Sequence, residues 1–515
     1  MYVMSMFKSC FLRMSPLVAM IAVTALTGCT VGPNYRGAPD VAHDAMHAAT
    51  FVRAPADAVI SGPAPSRWWE SLGDPQLNAL IDEALKNNPD LHAAQARLRE
   101  SRAQLQQQRA AQTPKVSADA AALRMREPDI SGLEGSSQPS SGNAQQTGQT
   151  TSQTASTGRG PLQLYTAGFD ASWEIDLFGG TRRAVEAASA QADAVNADLA
   201  DTQVSLAAEV AQAYIDLRSQ QQRLALANRS AALEQQTLGL IRQQRERGVV
   251  PEADVERQTT QVENTKATLI PLDEQITESL DQLAMLTGQA PGALDRELAS
   301  PAALPTMPAS VPVEDPAALL KQRPDIRAAE RRLASSNAQI GEHEADLFPK
   351  VTMLGFIGST AGDPAHLLKK NNFTWLGAPY LQWDILDFGR TRSQVRQAQA
   401  SRDEAEARYT QTVLAALQDA NNALSRYGHQ RESVTRLQKI EDSAGRSSTL
   451  MHQRYDAGAS SLIDLLDTER SQFNAQQNLV QGRAELLKDF VSLQKSLGLG
   501  WRFEQDSTAQ VSGNR

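Results

Sequence analysis

The chain has 515 residues, of which 41% are hydrophobic, 21% charged and 5% aromatic, with a mean hydropathy of −0.40. Fifty Lys and Arg stand against 59 Asp and Glu, giving a formal charge of −9; an acidic chain without a basic tract suits nucleic acid poorly, because phosphate backbones are met by clustered Lys and Arg. The only cysteines, Cys10 and Cys29, lie close together near the N-terminus, which excludes a disulfide framework and a cysteine zinc site.

Lys8 and Arg13 precede an apolar stretch from Leu17 to Leu26, which ends in Leu26-Thr27-Gly28-Cys29. A short apolar segment after positive charge, closing on small residues, reads as a secretory signal and is too short to span a bilayer. Its ending resembles the bacterial lipobox, in which Cys29 is acylated and becomes the first residue of the mature protein. Thr30, rather than Asp, follows it and points to the outer membrane. Residues 1–28 are therefore expected to be a lipoprotein signal peptide, and 29–67 an extended, lipid-anchored segment. Beyond Cys29 no apolar run reaches the 18 residues that a transmembrane helix needs. A crossing of the bilayer would require a closed β-barrel, because lipid cannot satisfy an open sheet edge.

The rest is written twice. Trp173-Glu-Ile-Asp-Leu-Phe-Gly-Gly-Thr-Arg182 recurs 210 residues later as Trp383-Asp-Ile-Leu-Asp-Phe-Gly-Arg-Thr-Arg392, and Gly248–Asp254 and Gly288 recur as Gly458–Asp464 and Gly498. Pro89-Asp-Leu-His-Ala-Ala and Pro114-Lys-Val recur 235 residues later, at Pro324 and Pro349. The difference of 25 residues places an insertion in the first copy, where Ser131–Gly160 is rich in Ser, Gly, Gln and Thr and reads as a polar loop. The expected organisation is a first repeat over 68–289, a Pro/Ala-rich connector over 290–316, a second repeat over 317–498 and a tail over 499–515.

Within each repeat the helical text is very long. Arg182–Arg247 lacks proline and is rich in Ala, Gln, Leu, Glu and Arg, all good helix formers; Thr391–Tyr455 matches it. A helix of about 65 residues would be roughly 100 Å long. After Gly248 and Gly458 a second helix returns, over Glu252–Leu286 and Ser461–Leu497, and Pro271 predicts a kink or break in the first of these. Strand signals precede each long helix. Tyr165, Ala167, Phe169, Ala171, Trp173 and Ile175 alternate with Thr166, Gly168, Asp170, Ser172 and Glu174, and Phe373, Trp375, Leu381, Trp383 and Ile385 keep the same parity. Pro379 blemishes that second strand, and the alternation in Lys115–Arg126 slips phase. Lys350–Ser359 is the fourth candidate. The reading is α+β, mainly α, with an internal two-fold repeat and four strands per chain. Four strands cannot close a barrel, so a spanning protein of this kind must be an oligomer; eight strands from two chains and 12 from three are both open.

The repeat, the Trp68-Trp69-Glu-Ser-Leu-Gly-Asp-Pro-Gln-Leu opening, the Asn88-Pro-Asp-Leu element and the lipobox together resemble the bacterial outer-membrane efflux proteins, the TolC-like channels, in their lipoprotein, NodT-type subgroup. That resemblance implies a homotrimer whose 12 strands form one barrel in outer-membrane lipid, with Tyr165, Phe169, Trp173, Phe373, Trp375 and Trp383 on membrane-facing strands. It implies a long periplasmic α-helical barrel, and partners in a periplasmic adaptor protein and an inner-membrane pump of RND or MFS type. It also implies no cofactor, no metal and no enzymatic activity: a passive exit duct for drugs or other toxic small molecules. The helix-turn tips near Gly248, Asp254, Gly458 and Ser460 fall where the family meets its adaptor. Tyr455, Asp464 and Asp467 fall in the family's periplasmic gate, although a family arginine is Ser460 here. The other reading is a lipid-anchored periplasmic coiled-coil adaptor or scaffold that does not span the membrane.

Overall fold

The computed structural model describes residues 30–55, 59–125 and 162–501; Cys10, Cys29, the signal segment, the Ser131–Gly160 insertion and the tail after Trp501 lie outside the described residues. Seven principal helices and six strands follow in chain order: β1 (Val59–Ser61), α1 (Pro75–Asn87), α2 (Pro89–Ala110), β2 (Lys115–Met125), β3 (Leu162–Ile175), α3 (Gly180–Glu246), α4 (Glu252–Leu286), β4 (Val311–Val313), α5 (Pro324–Ala345), β5 (Lys350–Ala361), β6 (Phe373–Gln382), α6 (Arg390–Asp456) and α7 (Leu462–Ser496). The two copies match closely: α3 and α6 each have 67 residues, and α4 and α7 each have 35. The proline at Pro271 does not divide α4, which is assigned as one helix through it. Pro324 and the other helix-opening prolines stand at first helical positions, where their missing N–H has no intrahelical partner to lose.

The chain separates into two compact units. One gathers the described parts of Met1–Asn34, Gln106–Glu186 and Ala338–Ala398, and contains the antiparallel sheet β2-β3-β5-β6. Pairing runs in register along whole strands, from Lys115↔Ser172 to Met125↔Leu162, from Tyr165↔Ala361 to Ile175↔Val351, and from Lys350↔Gln382 to Ser359↔Phe373. Pro379 sits opposite Met353 on the edge strand β6, the place in a sheet where a lost donor is tolerated. The strand ends at Gln382, so Trp383 and Ile385, expected within it, lie beyond. The Trp383 indole Nε1 donates to the carbonyl of Leu347 at 3.1 Å, and Trp173 does the same to Gln112 at 3.0 Å. The same lock thus recurs in both copies. The Arg183 guanidinium ties down the N-terminal segment by donating to the carbonyls of Val31 (3.1 Å) and Gly32 (3.2 Å) and to Asn34 Oδ1 (2.7 Å).

The other unit holds Tyr35–Leu105, Ala187–Asn337 and the described part of Gln399–Arg515. Its core packs Trp68, Trp69, Leu72, Leu77 and Ile81 against Tyr214, Ile215 and Leu217 of α3, and against Tyr427 and Phe490 of α6 and α7. Trp68 meets Trp69 and Phe490 edge-on, at 5.6 Å and 6.0 Å between ring centroids. Elsewhere α3 buries alanines (Ala207, Ala208, Ala211), small enough to let neighbouring helix backbones approach closely. Asp74 caps α1, accepting from the N–H groups of Gln76 (2.9 Å) and Leu77 (3.1 Å), and Asn88 caps α2 through Asp90 (2.9 Å) and Leu91 (3.1 Å). The Asn88 amide also donates to the Leu286 carbonyl at 2.9 Å, and its repeat counterpart Arg323 donates to the Ser496 carbonyl at 2.9 Å. Each copy therefore ties the start of its first long helix to the end of its last. A two-stranded parallel ribbon, β1 with β4, completes this unit.

Candidate functional site

Two features, one in each unit, carry functional character. The first is the sheet. Its register aligns Ala118, Phe169, Ile357 and Trp375 in one row across all four strands on one face. Tyr165, Ala171, Trp173, Met353, Phe373 and Leu381 share that face. Phe169, Ile357, Phe373, Trp375 and Leu381 are 56%, 49%, 56%, 75% and 62% exposed, an apolar surface that the subunit itself does not cover. The opposite face carries Ser117, Asp119, Thr166, Asp170, Ser172, Glu174 and Thr352, interrupted by Leu354, Phe356 and Leu376. The phase slip in Lys115–Met125 is resolved by this arrangement: Val116, Ala118, Ala120 and Ala122 lie on the apolar face, and Leu123 turns to the other. Strands of 10 to 14 residues have the length that a tilted strand needs to cross a bilayer core. β2 and β6 each have one margin without a strand partner among the described residues. No helix among the described residues is long and apolar enough to cross a membrane.

The second feature is the pair of helix turns. Gly248 and Gly458 have φ of 72° and 70°, a left-handed conformation that glycine adopts without steric cost. Each closes its helix through a paired cap: Gly248 and Val249 N–H donate to the carbonyls of Arg245 and Gln244 (2.9 Å each), and Gly458 and Ala459 to Tyr455 (2.9 Å) and Arg454 (2.8 Å). The returning helices begin differently. α4 starts after Pro251 without a side-chain cap, and Asp254 pairs loosely with Arg257 at 3.6 Å. α7 starts with a capping box: Ser461 Oγ accepts from Asp464 N–H (3.2 Å), while Asp464 accepts from Ser461 N–H (3.2 Å) and Ser461 Oγ–H (2.7 Å). Those hydrogen bonds, with a lesser contribution from Arg454, hold the Asp464 carboxyl below the usual carboxylate range. Asp467 lies one turn on, exposed, with Arg470 at 3.2 Å. Tyr455 is half-buried, and the Ser460 hydroxyl is enclosed without a hydrogen-bond partner among the described residues. The structure thus brings Tyr455, Ser460, Asp464 and Asp467 to one turn, and gives both carboxylates partners within the subunit.

Sequence reading missed a third element near these turns. His452 Nε2 on α6 approaches Glu469 Oε1 on α7 to 2.9 Å, and the Glu469 side chain is only 10% exposed. Glu234 on α3, 6% exposed, faces the same place and accepts from Gln261 Nε2 at 3.1 Å and Ser230 Oγ at 3.3 Å. Burial first, and the Glu234 charge second, push the Glu469 carboxyl above its ordinary value, against the pull of His452. A carboxyl that holds its proton more tightly in the folded state contributes stability that is complete below about pH 4.3, its unfolded value, and is lost as pH rises through the folded value. Glu469→Gln should therefore flatten the fall in thermal stability as pH rises above about 4.3. Thermal scans across that range would show an unchanged slope if Glu469 were freely solvated.

Comparison with known proteins matches this architecture. The sequence profile of the outer membrane efflux protein family covers residues 80–289 and 316–499, one segment in each copy. Nodulation protein T of Rhizobium leguminosarum bv. trifolii is 31% identical over 476 residues, 92% of this chain and 95% of that protein. The antibiotic efflux pump outer membrane protein ArpC of Pseudomonas putida is 30% identical over 500 residues, 96% and 98% of the two chains. Among solved structures, the outer-membrane channel OprN superimposes with a TM-score of 0.81 at 34% identity, covering 92% of this chain and all of that one. A duplicated helical hairpin, a membrane-length sheet with uncovered apolar face and free margins, and likeness along nearly the whole chain have one explanation: this protein belongs to the outer membrane efflux protein family.

Proposed function

We propose that the protein is the outer-membrane exit duct of a tripartite efflux system and works as a homotrimer. The observation that carries the trimer is the open sheet. Four strands with two free margins cannot seal themselves against lipid, whereas three copies supply 12, enough to close around a water-filled lumen. The apolar face then meets lipid and the Asp-, Ser- and Thr-bearing face lines the lumen. The long helices extend into the periplasm, where their turns at Gly248, Asp254, Gly458 and Ser460 meet a periplasmic adaptor coupled to an inner-membrane pump of RND or MFS type. Cargo is a small toxic compound, as the antibiotic-efflux relative suggests, and it passes without chemical change. Cys29 carries the acyl chains. A merely anchored scaffold has no use for an apolar sheet face of this size.

Three measurements test this reading. The purified, detergent-solubilised protein should have the mass of three chains and show a central hole by electron microscopy; a monomer without a hole ends the proposal. With Cys29→Ser, the protein should remain in the outer-membrane fraction because the barrel holds it there, whereas release into the soluble fraction would establish that the lipid alone anchors it.

Tyr455, Asp464 and Asp467 form the proposed periplasmic gate. Three copies would put six carboxylates around one opening, an arrangement that binds cations. The substitutions Asp464→Asn and Asp467→Asn together should raise single-channel conductance in planar bilayers. They should also shift the block by multivalent cations to about tenfold higher concentration, the effect of removing roughly 1.4 kcal/mol of binding. Unchanged conductance and block would remove both residues from the gate.

A further inference from the structure

We infer that the N-terminal segment carries a surface site for a divalent transition cation of the zinc, copper or nickel type, built from Asp40, His43 and His47. One ligand atom from each of these three residues lies within 4.8 Å of the other two. The spacing arises from a single helical turn, His43–Met46, in which the His47 N–H donates to the His43 carbonyl at 3.0 Å. Residues four apart on a helix stand on one face, so the two imidazoles converge, with ring centroids 4.4 Å apart. Asp40 reaches the same place from the irregular segment before the helical turn, its Oδ2 3.8 Å from His43 Nε2.

The second observation concerns the other nitrogen of His43. Its Nδ1 faces Asp44 Oδ1 at 3.5 Å. A carboxylate that accepts a hydrogen bond from one imidazole nitrogen leaves the opposite nitrogen, here Nε2 on the Asp40 side, to bind a metal. Asp44 is within reach of Nδ1, so a short side-chain movement would complete the Asp44–His43–cation arrangement.

The turn is also held in place. Met46 and Phe51 are 3% and 4% exposed and belong to the hydrophobic core, so the ligand-bearing face is fixed outward while the opposite face is buried. Ligand atoms about 2.0–2.2 Å from one ion sit closer together than the observed limit, a difference that side-chain rotation can close. Two imidazoles and one carboxylate favour borderline cations over Mg²⁺ or Ca²⁺, which prefer all-oxygen sets. The remaining positions face solvent and would hold water. The site is independent of the proposed duct, because none of its residues belongs to the sheet or the helix turns.

The test uses the full mature protein without a histidine tag, in detergent, with ZnCl₂ as the probe. Isothermal titration should show one saturable site per chain, undisplaced by millimolar Mg²⁺. The double variant His43→Ala/His47→Ala should weaken it at least tenfold while eluting at the wild-type position. Asp44→Asn, which leaves all three ligands, should weaken it several-fold; an unchanged affinity there removes the orienting role of Asp44. With Cu²⁺ as the probe, electron paramagnetic resonance should show coupling to two imidazole nitrogens, lost in the double variant. Absence of saturable Zn²⁺ binding, or binding that the double variant leaves intact, overturns the site.

Discussion

Gly498→Ala should lower the thermal unfolding midpoint by about 3 °C, or prevent the folded protein from accumulating. Gly498 has φ of 75°, and a Cβ there would stand 2.7 Å from Arg323 Cα and 2.9 Å from its backbone nitrogen. The obstacle is backbone and has little freedom to move: Arg323 precedes Pro324, and its guanidinium bonds the Ser496 carbonyl at 2.9 Å and Asp325 at 2.6 and 3.0 Å. A left-handed alanine costs roughly 1–2 kcal/mol, and forced overlap in a packed site adds about 1–3 kcal/mol. Together they reach about 3 kcal/mol, a large share of the 5–15 kcal/mol by which a typical protein is stable. The counterpart Gly288, with φ of 75°, would bring its Cβ to 2.5 Å from the Asn87 carbonyl oxygen and should respond alike. A double variant should lose roughly the sum, because the two sites share no partner. A midpoint within about 1 °C of the wild type for either single variant would mean that the junction yields easily, contrary to its geometry.

The second large effect concerns the sheet. Phe169→Arg should abolish recovery of assembled protein from the outer membrane, and Trp375→Arg should do the same. Both residues lie in the row with Ala118 and Ile357 on the apolar face, Phe169 in the middle of β3 and Trp375 level with it near the start of β6. An arginine facing lipid near the bilayer midplane costs about 2–4 kcal/mol, and three subunits in one barrel incur it three times. The control is Ser117→Arg on the opposite face, where the register places it beside Asp170. That arginine would point into water with an acid at hand. Fractionation followed by a heat-modification gel reads the difference; equal insertion of Phe169→Arg and Ser117→Arg would show that the apolar face does not meet lipid.

Much of this fold was legible because the chain repeats itself. The recurrence of Trp173 at Trp383 and of Gly288 at Gly498 marked the close of β3 and both helix ends. The long helices were legible from uninterrupted strong helix formers, and their observed ends fall within a few residues of those expected. The helices α1 and α2 were not read, although Asp74-Pro75 and Asn88-Pro89 carry their signal, an acceptor side chain followed by proline at a helix start. The phase of β2 was hidden because small alanines occupy its apolar face and Leu123 the other, so hydrophobicity reports the wrong parity. The end of β6 was hidden because Trp383 fits the alternation, while its indole is engaged by the turn at Leu347. The Glu234–His452–Glu469 cluster could not be read at all: α3 of the first copy meets the α6–α7 hairpin of the second there, and no periodicity records such a meeting. Asp464 and Asp467 were placed on the right turn, but the first serves its own helix start through Ser461, a role that local sequence (Ser461 followed three residues later by an acid) announces.

The proline in β6 bears on what happens before subunits meet. A newly exported chain presents two unfinished borders, and any stray extended segment could add to either one. Along β6, Pro379 has no N–H to offer an incoming strand, so that border cannot be zipped continuously by an arbitrary guest. The proper neighbour must leave a gap opposite that residue. One ring nitrogen thereby favours the intended seam over fibrous mispairing while the subunit waits for its companions.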